Sequence, residues 1–269
     1  MTQIFAIFGD PVSHSRSPLM HNSVFKHLHF DASYTRVHLK DGSQLRERFL
    51  KLGLSGANIT VPHKEAAYTA CDEIRGFAKK IGIVNTIILE DNKLIGYNTD
   101  ADGFIFAIEE FKQNFTQTPH VLVIGAGGTA KALAQKLTLE NFDVTVLNRS
   151  SKSAGFFQQL GIKFSTWDNF LINNKYDLVV NTTSAGLKDD ELPAPQEMLE
   201  EILDNTTYVA DAIYGKLTPF LQLAKSKNIT YKDGADMLLG QGVLANELFV
   251  RHSLSKEKIF EAMKHSFEI

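Results

Sequence analysis

The stretch that decides the fold is residues 121–131, which read Val-Leu-Val-Ile-Gly-Ala-Gly-Gly-Thr-Ala-Lys. Four consecutive apolar residues are typical of a parallel strand covered on both faces, because neither side alternates towards water. The spacing G-x-G-x-x-A follows: the first glycine makes a tight turn, the second lets the backbone approach a pyrophosphate, and the alanine lets a helix pack closely. The helix N-terminus then favours a bound phosphate. The residues predicted to contact a dinucleotide here are Gly125, Ala126, Gly127, Gly128 and Ala130.

A second apolar run, residues 144–147, follows after one helix length and ends in Asn148-Arg149-Ser150. This position contacts the adenosine ribose in dinucleotide-binding domains, and NAD sites usually carry an acid there. Arg149 instead offers a planar cation that suits a 2′-phosphate, flanked by the amide of Asn148 and the hydroxyl of Ser150. A capping turn with a solvated arginine is the structural alternative. The sequence therefore predicts NADP rather than NAD as the cofactor.

The composition is that of an ordinary globular protein of one large or two moderate domains, with 269 residues and 43% hydrophobic content. A formal net charge of −3 with interspersed signs predicts neither a nucleic-acid nor a membrane partner. The apolar N-terminal run is cut short by Gly9-Asp10-Pro11, which favours a first strand over a signal peptide. Cys71 is the single cysteine, so we expect no disulfide within the chain and a cytoplasmic location. We expect a monomer or a homodimer.

The pattern of strands and helices divides the chain. The first half combines helices with a hairpin whose strands flank Asp91-Asn92, whereas strands and helices alternate after the glycine turn, as in a doubly wound parallel sheet. Two final helical segments, residues 235–251 and 255–267, follow without an intervening strand. We therefore predict an α/β protein of two α/β domains with a cleft between them. Residues 1–103, completed by helices in 235–269, form a mixed-sheet substrate-binding and catalytic domain, and residues 104–234 form a Rossmann-like NADP domain.

Hydroxyl groups cluster at the start of the first helix, in Ser13-His14-Ser15-Arg16-Ser17-Pro18. Serine as N-cap and proline at the first helical position predict that this helix begins at Ser17-Pro18. Three hydroxyls together with backbone N–H groups at a helix N-terminus form a compact anion site, sized for a carboxylate. A serine-rich N-cap without a ligand is the alternative reading of this segment.

A second polar cluster lies in Asn58-Ile59-Thr60-Val61-Pro62-His63-Lys64. Alternation along a strand points Asn58 and Thr60 to one face, and Lys64 falls in the first turn of the helix begun by Pro62. The helix dipole disfavours an ammonium there, so a nearby acid or a functional demand is expected to hold it. Asp100 is the best candidate for that acid, and Asn85 can add an amide to a polyhydroxylated ligand. These groups would supply the proton that hydride transfer to a carbonyl requires.

These motifs together resemble the shikimate dehydrogenase family over nearly the whole chain. The matching segments, in the family's order, are residues 13–18, 58–64, 84–86, 98–100, 125–130, 148–150 and 234–241. The resemblance implies the NADP-dependent interconversion of 3-dehydroshikimate and shikimate, on the route to aromatic amino acids. Small departures from the usual pattern include Ala101 in place of glycine and Ile83 in place of alanine.

The resemblance also implies roles for individual residues. It makes Lys64 and Asp100 the catalytic pair. The residues that it places around the substrate are Ser15 and Ser17 at the carboxylate, Tyr214 near it, and Asn58, Thr60, Asn85 and Gln241 at the ring hydroxyls. Beyond the glycine turn and residues 148–150, the residues that it places at the cofactor are Thr183, Ile213 and Gly234.

Four other functions are suggested by parts of the sequence. A quinate/shikimate dehydrogenase with relaxed cofactor use is a close alternative, although Arg149 argues against NAD. A non-catalytic NADP-binding sensor would bind without turnover, and the presence of both Lys64 and Asp100 argues against it. A serine hydrolase lacks a G-x-S-x-G segment, and a metal enzyme lacks an H-E-x-x-H motif among the nine histidines.

Overall fold

The computed structural model describes residues 2–172 and 175–267, and the chain divides into two compact units. The first unit comprises residues 1–103 and 239–269, and the second comprises residues 104–238. Within the described ranges, no helix is long and apolar enough to cross a membrane.

The first unit is built on a mixed sheet. Its elements in chain order are β1 (Gln3–Gly9), α1 (Ser17–His27), β2 (Ala32–His38), α2 (Leu45–Lys51), β3 (Gly56–Ile59), α3 (Lys64–Ala70), β4 (Glu73–Ile74), α4 (Ala78–Ile81), β5 (Thr86–Glu90), β6 (Lys93–Tyr97) and the start of α5 (Asp100–Ala107). The strand order is β2-β1-β3-β5-β6-β4. The β1–β2, β1–β3 and β4–β6 pairs are parallel, whereas β5 pairs antiparallel with both β3 and β6. The mixed sheet predicted for this half is therefore confirmed.

The hairpin of β5 and β6 turns at Asp91 and Asn92, as the sequence predicts. Both residues have positive φ, 46° and 62°. Two consecutive positive φ values are what a two-residue hairpin of matching twist requires, and Asp and Asn tolerate this region better than other non-glycine residues. The turn fixes the register of β5 on β6 and, through it, the end of β6 that leads into α5.

Two helix starts differ from the sequence prediction. The N-cap of α1 is Arg16, not Ser17, because the Ser17 N–H donates to the Ser15 hydroxyl oxygen (3.3 Å) and Ser17 is already helical. The helix α3 begins at Lys64 rather than at Pro62. The short β4 and α4 were not predicted, since elements of two and four residues carry no measurable periodicity.

The second unit contains a parallel sheet. Its elements after α5 are α6 (Glu109–Lys112), β7 (His120–Ile124), α7 (Gly128–Leu139), β8 (Asp143–Asn148), α8 (Ala154–Gln159), β9 (Lys163–Thr166), β10 (Tyr176–Asn181), α9 (Gln196–Asp204), β11 (Thr206–Asp211), α10 (Pro219–Ser226), β12 (Thr230–Lys232) and the first turn of α11 (Ala235–Phe249). The strand order is β12-β11-β10-β7-β8-β9, with parallel pairs throughout the described residues. The order is that of a doubly wound sheet, and its switch point lies between β7 and β10.

The end of α11 and the last helix, α12 (Lys256–Lys264), belong to the first unit. The ring of Phe249 is buried against Phe5, with the ring centroids 4.6 Å apart. The Ser23 hydroxyl on α1 donates to the carbonyl oxygen of Ala262 on α12 at 2.9 Å. These contacts attach the C-terminal segment to the β1 and α1 part of the mixed-sheet unit.

Gly125 ends β7 in a conformation that excludes a side chain. Its φ is +113°, and an added Cβ would lie 2.6 Å from the Thr182 hydroxyl oxygen. Gly127, two residues on, has φ −80° at the N-cap of α7, and an added Cβ would meet no atom within 4 Å. The first glycine is therefore required by the fold, whereas the second leaves open space beside the backbone.

This difference gives a stability prediction. Gly125→Ala is expected to destabilise the second unit by about 1–3 kcal/mol or more, because it combines backbone strain with a steric clash. Gly127→Ala is the matched control and should leave stability near the wild-type value. The single tryptophan, Trp167, lies in this unit, so its fluorescence during urea unfolding reports the change. Equal midpoints for the two variants would contradict the strain at Gly125.

Candidate active site

The centre of the candidate site is an ion pair between Lys64 and Asp100. The Lys64 ammonium donates to Asp100 Oδ2 at 2.6 Å, and the side chains are only 12% and 10% exposed. Each is the first residue of its helix, α3 and α5. The dipole of α5 favours the carboxylate, whereas the dipole of α3 disfavours the ammonium. The acid thus holds the lysine where the helix alone would not.

Asn85 orients the carboxylate of this pair. Its Nδ2 donates to Asp100 Oδ1 at 2.8 Å, and its Oδ1 accepts the backbone N–H of Thr99 at 2.8 Å. A backbone N–H can only donate, so it fixes which side of the Asn85 amide faces Asp100. Both oxygens of Asp100 therefore have a donor, and the carboxylate is held in one orientation.

Asn58, on β3, is hydrogen-bonded to the backbone of Asn85. It is 4% exposed, and its Oδ1 accepts the Tyr34 hydroxyl at 2.7 Å. Its Nδ2 donates to Thr86 Oγ1 at 3.0 Å and to the Asn85 carbonyl at 3.4 Å. Both N–H groups of the amide are therefore used inside the protein. The Thr86 hydroxyl donates to Asn85 Oδ1 at 3.0 Å, which links Asn58 to the amide that holds the carboxylate.

Tyr34 and Thr86 complete this buried network, and sequence reasoning missed both. Burial raises the pKa of Tyr34 well above its usual value, and hydrogen bonds to Ser17 and Asn58 oppose the rise. Tyr34 therefore stays a neutral donor at physiological pH. An isolated tyrosine on an edge strand carries no sequence signal for such a role, because its partners lie on other elements.

The paired serines form a separate cluster at the start of α1. The Ser15 hydroxyl donates to the Ser17 hydroxyl at 3.2 Å, and both residues are buried. The first turn of α1 contains no acidic residue. Two hydroxyls beside the positive end of an eleven-residue helix suit a carboxylate.

Two further predicted residues lie in the first unit. Thr60 follows β3, and its backbone N–H donates to the Phe8 carbonyl at 2.8 Å. Gln241 lies on the part of α11 that belongs to this unit and is buried. Thr60 is thus fixed at the end of the strand that carries Asn58, four residues before Lys64.

The glycine turn of the second unit fits a dinucleotide phosphate. Gly127 caps α7, a helix of twelve residues without an acid in its first turn, and the space beside Gly127 is open. Asn148 ends β8, and its Nδ2 donates to the Ser150 carbonyl at 2.9 Å, which closes the turn around the exposed Arg149. Backbone N–H groups at the helix start and a cation after the second strand are the donors that the diphosphate and the 2′-phosphate of NADP require.

A buried carboxylate, Asp211, organises the ends of the next two strands. It accepts the Asn181 amide at 3.1 Å, the Ile213 N–H at 2.9 Å and the Thr218 hydroxyl at 2.7 Å. Burial raises its pKa, and these hydrogen bonds oppose the rise. Asn181 in turn accepts the N–H and the hydroxyl of Thr183 at 2.9 and 2.8 Å. Asp211 therefore positions two predicted cofactor residues, Thr183 and Ile213, and an acid ending an apolar strand was the unused sequence signal.

The remaining predicted residues of this unit lie on neighbouring loops. Tyr214 follows Ile213 and is half-buried. The Gly234 N–H donates to the Ile213 carbonyl at 2.9 Å, and an added Cβ at Gly234 would lie 2.4 Å from the Ala212 carbonyl oxygen. A glycine is therefore required where the chain enters α11.

A doubly wound sheet with a phosphate turn and a mixed-sheet unit with a lysine–carboxylate pair define a two-domain α/β dehydrogenase. Comparison with known proteins agrees. Residues 7–87 match the family model described as the shikimate dehydrogenase substrate binding domain. The shikimate dehydrogenase (NADP(+)) of Helicobacter hepaticus is 45% identical over 257 residues, which cover 95% of this chain and 94% of that protein.

Solved structures give the same answer. A shikimate dehydrogenase from Aquifex aeolicus has a TM-score of 0.88 at 31% identity and covers 100% of this chain and 98% of its own. A shikimate 5-dehydrogenase from Thermus thermophilus, solved in complex with NADP(H) and shikimate, has a TM-score of 0.84 at 30% identity, covering 98% and 100%. The chain belongs to the shikimate dehydrogenase family.

Proposed function

We propose that the protein catalyses the reversible, NADP-dependent reduction of 3-dehydroshikimate to shikimate in the biosynthesis of chorismate and the aromatic amino acids. The observation that carries this proposal is the buried Lys64–Asp100 pair, oriented by Asn85, in a chain that belongs to the shikimate dehydrogenase family. An oriented ammonium can give a proton to a carbonyl oxygen and take it back in the reverse direction. The mixed-sheet unit would bind the substrate, and the doubly wound unit would bind NADP.

In the direction of reduction, bound NADPH would supply the hydride for the C3 carbonyl carbon of 3-dehydroshikimate and would become NADP. Lys64 would donate the proton that the carbonyl oxygen gains, so its N–H bond and the C=O π bond break as the new O–H bond forms. Asp100 holds the ammonium and accepts a hydrogen bond from the new hydroxyl. In the reverse reaction Lys64 takes this proton back.

The remaining substrate contacts are assigned by chemistry. Ser15 and Ser17 present hydroxyls at the N-terminus of α1, which suits the ring carboxylate, and Tyr214 would approach the same group. Asn58, Thr60, Asn85 and Gln241 would contact the ring hydroxyls. Asn58 would also support Asn85, since its amide donates to Thr86 Oγ1 and to the Asn85 carbonyl. Asn85 would in turn support Asp100, to which its amide donates.

NADP would be held by the turn of Gly125, Ala126, Gly127, Gly128 and Ala130 at the diphosphate. Arg149, flanked by Asn148 and Ser150, would bind the 2′-phosphate, because a guanidinium pairs well with phosphate oxygens. Thr183, Ile213 and Gly234 lie on the loops that follow β10, β11 and β12 and would line the nicotinamide side. Asp211 would hold the first two of these loops in place through its hydrogen bonds to Asn181 and Ile213.

The direct test follows NADPH absorbance with the purified protein. Shikimate and then quinate are offered with NADP and with NAD. We expect rapid reduction of NADP by shikimate and little with the other three pairs. Comparable rates with quinate or NAD would favour a quinate/shikimate dehydrogenase with relaxed cofactor use. Binding of NADP without turnover of shikimate would favour a non-catalytic sensor. The cytoplasmic location and the monomeric or homodimeric state stay predictions.

A further inference from the structure

We infer that Arg36 is a positioning residue that sets the preference for a substrate bearing a carboxylate, by fixing the Ser15 peptide beside the paired serine hydroxyls. The inference rests on the proposed function and deepens it, because it assigns the selectivity of the anion site to a side chain on β2.

Arg36 donates two hydrogen bonds to the carbonyl oxygen of Ser15. Its Nε and Nη2 donate to the Ser15 oxygen at 3.0 and 2.5 Å. Two hydrogen bonds from a rigid, charged group hold one carbonyl more firmly than a single neutral bond would. The peptide is planar and trans, so fixing this carbonyl also fixes the direction of the next backbone N–H. The backbone at Ser15 is therefore set from β2, not from the serine segment itself.

One face of β2 contacts residues 10–17, which lead from β1 into the first residue of α1, at three points. Tyr34, Arg36 and His38 alternate along the strand and share a face. Tyr34 lies next to Ser17, and His38 Nε2 lies 2.7 Å from Asp10 Oδ1. Arg36 occupies the middle of this face, opposite Ser15. The strand therefore shapes the loop that presents the two hydroxyls.

The electrostatics of this loop favour an anion. The first turn of α1 carries no acid, and its N-terminus has a partial positive charge. The nearest acid along the segment, Asp10, interacts with His38. Arg36 adds a positive charge beside Ser15, whose carbonyl oxygen its guanidinium contacts. A ligand with a carboxylate gains from this charge, whereas a neutral ligand of the same shape does not.

The test is the kinetics of Arg36→Gln. We expect the KM for shikimate to rise on the order of 10- to 100-fold, the loss typical of hydrogen bonds to a charged group, with kcat and the KM for NADP close to wild type. Arg36→Lys keeps the charge but not the planar guanidinium with its two donors. Its KM for shikimate should lie between those of wild type and Arg36→Gln. Arg48→Gln removes an equal charge from an exposed position on α2 and is the control, with unchanged kinetics.

The neutral methyl ester of shikimate separates a role in charge recognition from a general structural role. The ester is used as a substrate or as a competitive inhibitor. The ratio of its KM or inhibition constant for Arg36→Gln to that for wild type should be much smaller than the same ratio for shikimate. Parallel losses for shikimate and the ester, a fall in kcat with unchanged KM, or an unchanged KM for shikimate would each overturn the proposal. Turnover of shikimate by wild type tests the proposed function independently. Should Arg36→Gln fail to fold, the comparison is made with Arg36→Lys.

Discussion

Replacing Lys64 by alanine is expected to lower kcat by on the order of 10²- to 10⁴-fold, the loss typical of a missing acid–base group. The KM for shikimate should change far less, because the proton transfer matters in the transition state more than in the ground state. Steady-state kinetics in both directions measure the effect. A Lys64→Ala variant with kcat near wild type would remove Lys64 from the mechanism.

The loss of activity must be separated from a loss of stability. Lys64→Ala leaves the carboxylate of Asp100 buried without its ion-pair partner, which destabilises a protein by several kcal/mol in typical cases, about 3–5. The double variant Lys64→Ala/Asp100→Asn removes this stranded charge. We expect it to recover much of the unfolding free energy and none of the kcat. Recovery of kcat together with stability would assign the pair a structural role.

The second large effect is expected at the cofactor. Arg149→Ala should raise the KM for NADP on the order of 10- to 100-fold, because the 2′-phosphate loses hydrogen bonds from a charged group. The kcat at saturating NADP should change little, since the 2′-phosphate is remote from the reacting carbon. The KM for NAD should stay the same. The kcat/KM for NADP divided by the kcat/KM for NAD should therefore fall.

Lys163→Ala is the control for this prediction. Lys163 is an exposed cation in the same unit, and its ammonium pairs with Asp143 Oδ2 at 2.8 Å. Its removal should leave both KM values unchanged. An unchanged KM for NADP in Arg149→Ala would show that Arg149 does not bind the 2′-phosphate. So would an equal rise of that KM in Lys163→Ala.

The elements that were predictable share a strong local signal. The glycine turn at 125–130 and the hairpin at Asp91-Asn92 depend on residues close in sequence, whose backbone preferences decide the conformation. The expectation that Lys64 needs an acid also came from local physics, because an ammonium at a helix N-terminus is unfavourable by itself. The sequence offered several carboxylates as the partner of Lys64, and Asp100 was predicted among them. The structure identifies Asp100 as the partner, because its Oδ2 lies 2.6 Å from the Lys64 ammonium.

Other features carried no such signal. The strands β4 and β9, of two and four residues, are too short to show a hydrophobic period. The N-cap of α1 is Arg16 rather than Ser17, because the Ser17 N–H donates to the Ser15 hydroxyl and Ser17 is already helical. Tyr34, Arg36 and Asp211 each act on residues far away in the sequence, and a single polar residue on a strand gives no hint of its partners. Such contacts follow from strand order, which local preferences do not encode.

The sequence by itself determined the two α/β halves, the glycine turn and NADP as the cofactor, and it predicted the residues for proton transfer, because each depends on periodicity, glycine conformation or charge within a short segment. Only the tertiary structure decided which groups meet. Packing β1 between β2 and β3 brings Arg36 to Ser15 and Tyr34 to Asn58, and the β5–β6 hairpin brings Asn85 to Asp100. The physical reason is that hydrogen bonds between distant residues depend on the order and register of the strands, and register is set by the burial of whole apolar faces rather than by any short segment.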